Sequence, residues 1–181
     1  MERSLALIAL FAALIAALGL IPALTLGFGV PITAQSLGVM LCGTVLGARR
    51  GGLAALLFVA LVALGLPLLA GGRGGLGVFQ SPTVGFVVGF PVAAYVTGWM
   101  MERFTAFSTA IAAGIAAIVG GVLVLYAFGI TGLMVMLSKG PAEAALLVTA
   151  FIPGDVVKAV LAGLITAGIA RARPASLLSR A

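Results

Sequence analysis

Two charged side chains stand three residues apart in a stretch that otherwise carries none: Asp155 and Lys158, inside the run from Ala144 to Ala170. Asp155 is the sole aspartate of the chain. A charge at bilayer depth is costly and persists where it faces a cavity or a partner. On a helix, positions i and i+3 share a face, so both groups can address the same space. The carboxylate can accept hydrogen bonds and the ammonium can donate them, which suits capture of a polar ligand. The competing role is a structural ion pair that pins this helix to a neighbour.

The helix that positions the pair is delimited by Pro153, because proline lacks an N–H but fits the first helical turn. From Pro153 to Ala170 the chain would rise about 27 Å, close to a hydrocarbon core of about 30 Å. A start at Pro141 would give about 45 Å, too long for one span. Asp155 therefore falls in the first turn, near one membrane face, where the positive end of the helix dipole favours a carboxylate.

Composition agrees with a membrane solvent. The 181 residues are 63% hydrophobic and 8% charged, against roughly 25% charged in soluble domains. The expected architecture is all-α: a polytopic membrane protein forming a single integral membrane domain over residues 1–181. The net charge of +6 resides in short segments between spans, which points to topology and contact with anionic lipid rather than nucleic acid. Absence of histidine removes Ser–His and Cys–His nucleophiles and the commonest transition-metal ligand. No catalytic or metal site is expected. The single cysteine, Cys42, reads as a small packing residue.

Along the chain, Met1 to Leu20 reads as a retained first helix. Ala9, Ala13 and Ala17 recur every four residues, and Ala12 and Ala16 form a parallel row. Small residues at this spacing let helices approach closely, so the first row is a candidate docking face for another membrane subunit. Ile21 to Ser36 is a Pro- and Gly-rich connection with Thr25, Thr33, Gln35 and Ser36 as its polar groups. Leu37 to Gly47 is short and spans only if it begins near Pro31, and Arg49-Arg50 reads as its stop. Gly52 to Leu69 is the next helix, followed by the glycine-rich Ala70 to Gly75 with Arg73 as its one charge. Ser81 to Met101 and Thr105 to Phe128 are further spans, with Trp99 as an interfacial anchor. Lys139 to Pro141 reads as a turn, Ala142 to Thr149 as a short helix, and Pro153 to Ala170 as the last span.

Six spans place both termini on one side. With that side inside, it holds Arg3, Arg49, Arg50, Arg103, Arg171, Arg173 and Arg180, and the outside holds Arg73 and Lys139. Seven against two follows the positive-inside bias and makes both termini cytoplasmic. The Ile21 to Ser36 connection, the Arg73 loop and Asp155 then converge on the outer face, as a pocket open to the exterior would require.

Five motifs occur in register: Val30-Pro31-Ile32-Thr33-Ala34-Gln35-Ser36, Gly47-Ala48-Arg49-Arg50-Gly51, Gly65-Leu66-Pro67 with Ala70-Gly71-Gly72-Arg73-Gly74-Gly75, Ser81-Pro82-Thr83-Val84-Gly85-Phe86, and Pro153-Gly154-Asp155 with Lys158. In this order they closely resemble the BioY family, the biotin-binding S components of energy-coupling factor (ECF) transporters, over nearly the whole chain. Ser81 stands where the family pattern usually has glycine. The resemblance implies six transmembrane helices in the cytoplasmic (inner) membrane and high-affinity capture of biotin from outside. It further implies association with a transmembrane coupling protein and a pair of ATPases, through Ala9, Ala13 and Ala17.

Biotin presents a ureido ring, an apolar thioether ring and chain, and a carboxylate. Asp155 can accept from the ureido N–H groups; Lys158, Gln35, Gln80 or Thr83 can donate; Phe79, Phe86 and Leu66 can form walls; Arg73 or Lys158 can meet the carboxylate. No cofactor is expected, and without a Walker A loop any ATP coupling must come from a partner. Among alternatives, an S component for thiamin or riboflavin would call for more aromatic lining than 7% supplies. A self-sufficient secondary transporter would show inverted repeats and broken midplane helices. An intramembrane enzyme would have thin catalytic options in a chain with one aspartate and no histidine. A non-transporting scaffold would have no use for a buried Asp and Lys.

Overall fold

The computed structural model describes residues 2–180; Met1, Ala181 and the side chains of Arg3 and Thr25 lie outside the described residues. The chain folds as α1 (Glu2–Leu18), a two-stranded antiparallel hairpin of β1 (Leu24–Thr25) and β2 (Pro31–Ile32), then α2 (Gln35–Leu46), α3 (Ala48–Ala63), α4 (Val84–Arg103), α5 (Thr109–Ile118), α6 (Leu125–Leu137), α7 (Pro141–Val148) and α8 (Ile152–Ala172). A π-helical turn, Val119–Val124, fuses α5 and α6 into one rod. A 3-10 turn, Thr149–Phe151, joins α7 to α8. The result is a six-membered bundle. Three of its rods, Val84–Arg103, Thr109–Leu137 and Pro141–Ala172, are long and apolar enough to cross a membrane by themselves.

The last rod holds both expected elements: α7 is the short helix expected over Ala142 to Thr149, and the 3-10 turn separates it from α8, although the two together make one helical path longer than a single span. Pro153 lies at the start of α8 as its chemistry requires. The sequence boundaries shift elsewhere too. Arg49 and Arg50 stand inside the first turn of α3 rather than between spans. Gly47, at φ 82°, reverses the chain by itself, and the Glu102 carboxylate accepts the Ala48 N–H at 2.8 Å, satisfying one of the free donors at the start of α3. That helix ends at Ala63, not Leu69, because Gly65 at φ 106° and Pro67 stop it. The span expected to end at Phe128 runs on to Leu137.

Helix α2 is the pillar of the bundle. It is apolar on all sides, and a helix of that kind is buried on all sides; every residue except Leu37 is buried. At about 18 Å it is shorter than a hydrocarbon core. The extended Val30 to Thr33 segment leads into it, and irregular backbone at such depth is tolerated where it is packed or lines a cavity. Val30 is buried, and Pro31 and Thr33 line one. Helices α1, α3, α4 and α8 pack around α2. Of the two alanine rows in α1, Ala12 and Ala16 turn inward, whereas Ala9, Ala13 and Ala17 remain exposed.

Close approach of α2 to α4 depends on missing side chains. A Cβ on Gly43 would lie 2.5 Å from the Ala94 carbonyl oxygen, and one on Gly98 would overlap the backbone of Gly47 and Ala48. Overpacking of this kind, with only backbone to yield, costs about 1–3 kcal/mol or more. Gly98→Ala is therefore expected to lower the thermal unfolding midpoint of the detergent-solubilised protein. Gly140→Ala, where a Cβ meets nothing within 4 Å, is expected to leave that midpoint nearly unchanged.

Candidate functional site

At the end of the bundle where α2 and α8 begin, Asp155 is 5% exposed. Lys158 Nζ donates to its Oδ1 at 2.8 Å, one turn along the same helix. Ser36, the second residue of α2, donates its hydroxyl to the same Oδ1 at 3.2 Å and accepts from Lys158 Nζ at 3.0 Å. Tyr126 on α6 donates its phenol to Oδ2 at 2.8 Å. One carboxylate thus ties α2, α6 and α8 together.

A carboxylate offers about four lone-pair positions and an ammonium three protons. Three protein donors reach Asp155 and two acceptors reach Lys158. About one acceptor position on Oδ2 and one N–H on Lys158 stay open. Both residues line a cavity of about 60 Å³ together with Thr33, Arg73 and Thr83. Its apolar wall includes Phe86, Phe90, Leu125 and Phe151. Phe151 holds that wall in shape, meeting Phe86 edge-on at 5.7 Å, Phe28 at 6.0 Å and Tyr126 at 6.4 Å between ring centres.

A second hollow of about 400 Å³ adjoins the first and shares Pro31 and Arg73 with it; Gly19 to Ala23, Ala70 and Gly71 form its other walls. Arg73 thus stands between the inner cavity and an outer vestibule. Its Nε donates to the Ala70 carbonyl at 3.3 Å and Nη1 to the Thr83 hydroxyl at 3.5 Å. Burial lowers its pKa from the usual guanidinium value, yet an arginine remains a cation at physiological pH. Thr83 is in turn held by Ser81 at 2.7 Å.

The structure therefore brings Asp155, Lys158, Arg73, Thr83, Phe86 and Gln35 around one cavity. Gln35 has a different employment from the donor role expected of it. Its amide donates to the Ile15 carbonyl at 3.2 Å and the Leu68 carbonyl at 3.0 Å, while its oxygen accepts the Ala70 N–H at 3.1 Å. Both amide protons are spent on clamping α1 and the Arg73 loop to α2. Phe79 packs into the core beside α3 and α4, and Gln80 and Leu66 are exposed; none of the three lines the cavity. Sequence reasoning passed over Tyr126 and Phe151 and noted Ser36 only as a polar group of the preceding connection. The signal for Tyr126 was its type: it is one of only two tyrosines and sits within an apolar span.

The model of the BioY family matches residues 2–175. The chain is 54% identical to a biotin transporter BioY of Rhodobacter capsulatus, over 99% of its own length and all of the relative's. It is likewise 54% identical to a biotin transporter BioY of Rhizobium etli, over 90% of each chain. Among solved structures, the S-component for biotin from an ECF-type ABC transporter superposes with a TM-score of 0.89 at 27% identity, covering 97% of this chain and 96% of that one. With five sequence motifs in register, a shared six-helix architecture and a family match over nearly its whole length, the chain belongs to the BioY family.

Proposed function

We propose that this protein captures biotin for uptake across the cytoplasmic membrane, as the substrate-binding S component of an ECF-type transporter. The observation that carries the reading is the buried Asp155–Lys158 pair, which keeps one acceptor and one donor position open toward a cavity with aromatic walls. A ureido group offers an N–H and a C=O side by side, complementary to those two positions. The inner cavity alone is smaller than the several hundred Å³ usual for such ligands. Together with the vestibule it reaches that range, so the ring system occupies the inner part and the acid chain extends outward past Arg73. Arg73 is the cation for the carboxylate in this pose, and Phe86 and Phe151 flank the thioether ring.

ATP hydrolysis belongs to a partner ATPase pair, reached through a transmembrane coupling protein. The exposed row Ala9, Ala13 and Ala17 on α1 supports a docking face for that protein, since small residues on an outer helix surface permit close helix approach. The grouping of Arg49, Arg50, Arg103, Arg171, Arg173 and Arg180 in segments on the opposite side from Arg73 supports an inner-membrane protein with cytoplasmic termini.

Isothermal titration of the purified protein is expected to show saturable heat with biotin and far weaker binding of thiamin and riboflavin. Saturation by another vitamin with no response to biotin would end the assignment. In Asp155→Asn an amide donor faces the ureido N–H. Loss of a charge-assisted hydrogen bond costs about 1.5–3 kcal/mol, roughly ten- to a hundredfold in affinity. The double variant Asp155→Asn with Lys158→Met separates ligand binding from structure, because no charge is left unpaired. Its thermal stability is expected to recover while biotin binding stays lost; near-native affinity would sink the ligand role of Asp155. At the coupling face, Ala13→Leu is expected to preserve biotin binding by the isolated protein and to weaken co-purification of the coupling subunits. Undiminished co-purification would count against that face.

A further inference from the structure

At the end of the bundle opposite Asp155, two hollows run into each other along the outer seam between α3 and α4. The first, about 340 Å³, is formed by Arg49, Arg50, Tyr95, Trp99 and Glu102 with Leu46 and Ala48. The second, about 470 Å³, continues from Arg49 and Tyr95 toward the middle of the bundle over Leu53, Leu56, Pro91 and Val92. Arg49 and Tyr95 belong to both, so the two are one groove with a cationic, aromatic head and an apolar tail. Gly52 forms part of the tail's floor; a Cβ there would meet Tyr95 at 3.3 Å.

We propose that this groove holds one anionic diacyl phospholipid, its phosphate between Arg49 and Arg50 and one acyl chain along the α3–α4 seam. Four observations carry the assignment. Arg49 is exposed, and Arg50 makes a single long contact, from Nε to the Ser4 hydroxyl at 3.3 Å. Both guanidinium groups therefore have donors to spare, in the fork geometry that suits phosphate. Trp99 and Tyr95 are 45% and 46% exposed beside them, at the depth where such rings mark the headgroup boundary. Leu53 and Leu56 are half exposed, and Val92 is 40% exposed. They lie one to two helical turns from Arg49 and Trp99 toward the middle of the bundle, so the tail points into the hydrocarbon core. A basic pocket between helices with an apolar continuation is the arrangement that recognises anionic lipid headgroups.

The acidic group in the head does not cancel its charge. Glu102 turns its carboxylate to the Ala48 N–H at 2.8 Å, and Arg103 lies 5.2 Å over the Trp99 ring. Arg49 and Arg50 thus outnumber the one carboxylate that lines the head, and Arg103 adds positive charge beside Trp99.

Trp99 is the single tryptophan of the chain, so its fluorescence reports on this groove alone. The protein is reconstituted in phosphatidylcholine vesicles, and phosphatidylglycerol or phosphatidylcholine brominated near the carboxyl end of the chain is titrated in. Two surface arginines predict about a thirtyfold preference of Trp99 quenching for the brominated phosphatidylglycerol. The preference is expected to vanish in the Arg49→Gln, Arg50→Gln double variant and to persist in Arg171→Gln, Arg173→Gln, which removes two exposed arginines elsewhere. Equal quenching by both lipids in the native protein means ordinary annular lipid and overturns the proposal. So does absence of quenching by either, which means that the face is covered by protein. Equal loss of preference in the two double variants overturns it as well, by assigning the effect to net charge. Biotin titration verifies the fold of each variant. Should the Arg49, Arg50 variant not fold, the headgroup comparison in the native protein decides by itself.

Discussion

Burying a carboxylate and an ammonium in an apolar bundle costs several kcal/mol per ion, and removal of one partner leaves the other uncompensated. The Asp155–Lys158 pair meets this constraint by drawing hydroxyls from two other helices, Ser36 of α2 and Tyr126 of α6. The consequence is positional. The starts of α2, α6 and α8 are fixed to within hydrogen-bond tolerance of one another by a single carboxylate. The neighbouring residue extends the same layer. Successive residues on a helix point about a third of a turn apart, so Gln35 faces away from α8 and toward α1. There it binds the carbonyls of Ile15 and Leu68 and the N–H of Ala70. Two adjacent residues, Gln35 and Ser36, therefore register both halves of the bundle and the loop that carries Arg73.

That arrangement places the buried ion pair and its hydroxyl partners at one level, where the helices begin. Below Ser36, α2 continues through Val39, Met40 and Gly43, which have no polar side chain to offer, and its contacts with α4 there are decided by shape. Gly43 and Gly98 admit α4, and Gly121 in the π-helical turn admits Met40. The ligand end is held by directional bonds and the rest by close packing, which suits a site that must keep open valences in place while excluding lipid.

Much of this was legible in the sequence, for reasons specific to each residue. Asp155 and Lys158 stood out because a membrane span seldom tolerates charge, and Pro153 fixed the helix start and so their depth. The six-helix architecture and the exposed alanine row followed from runs and spacings. The hydroxyl partners were not legible. In apolar helices a hydroxyl commonly returns to the carbonyl one turn earlier, as Thr97 does to Ala93 and Thr131 to Ala127. Type alone does not distinguish these from Tyr126 or Ser36, which reach across. Gln35 was read as a ligand donor because its partners lie 20 and 33 residues away and only the fold reveals them. Arg49 and Arg50 were read as a stop because charge marks the membrane boundary equally well at the start of a helix. The reversal at Gly47 rests on one positive φ and on a carboxylate from distant Glu102.

The two ends of α2 are chemically unlike, and this bears on what the bundle can do by itself. At the Asp155 end, cavity and vestibule open outward through Pro31 and Arg73. Toward the other end, the axis is filled by buried side chains such as Val39, Met40 and Leu46. The polar groups on that path are already engaged: Thr166 donates to Thr44 at 2.9 Å, and Thr97 turns back to Ala93. The exit itself is plugged by the C-terminal segment, where Leu177 and Ser179 are buried, Ser179 donates to the Thr44 carbonyl, and Arg180 donates to the Phe104 carbonyl at 2.7 Å. A ligand with a ureido ring and a carboxylate would find Thr44, Thr97, Thr166 and Ser179 already engaged along such a path, and each polar group stripped of water there would cost on the order of 2–7 kcal/mol. In this conformation the cavity is open at one end of the bundle and closed off by packed side chains toward the other. The helix that carries the exposed alanine row, α1, is also the one that Gln35 clamps to the rim of the cavity, through the Ile15 carbonyl.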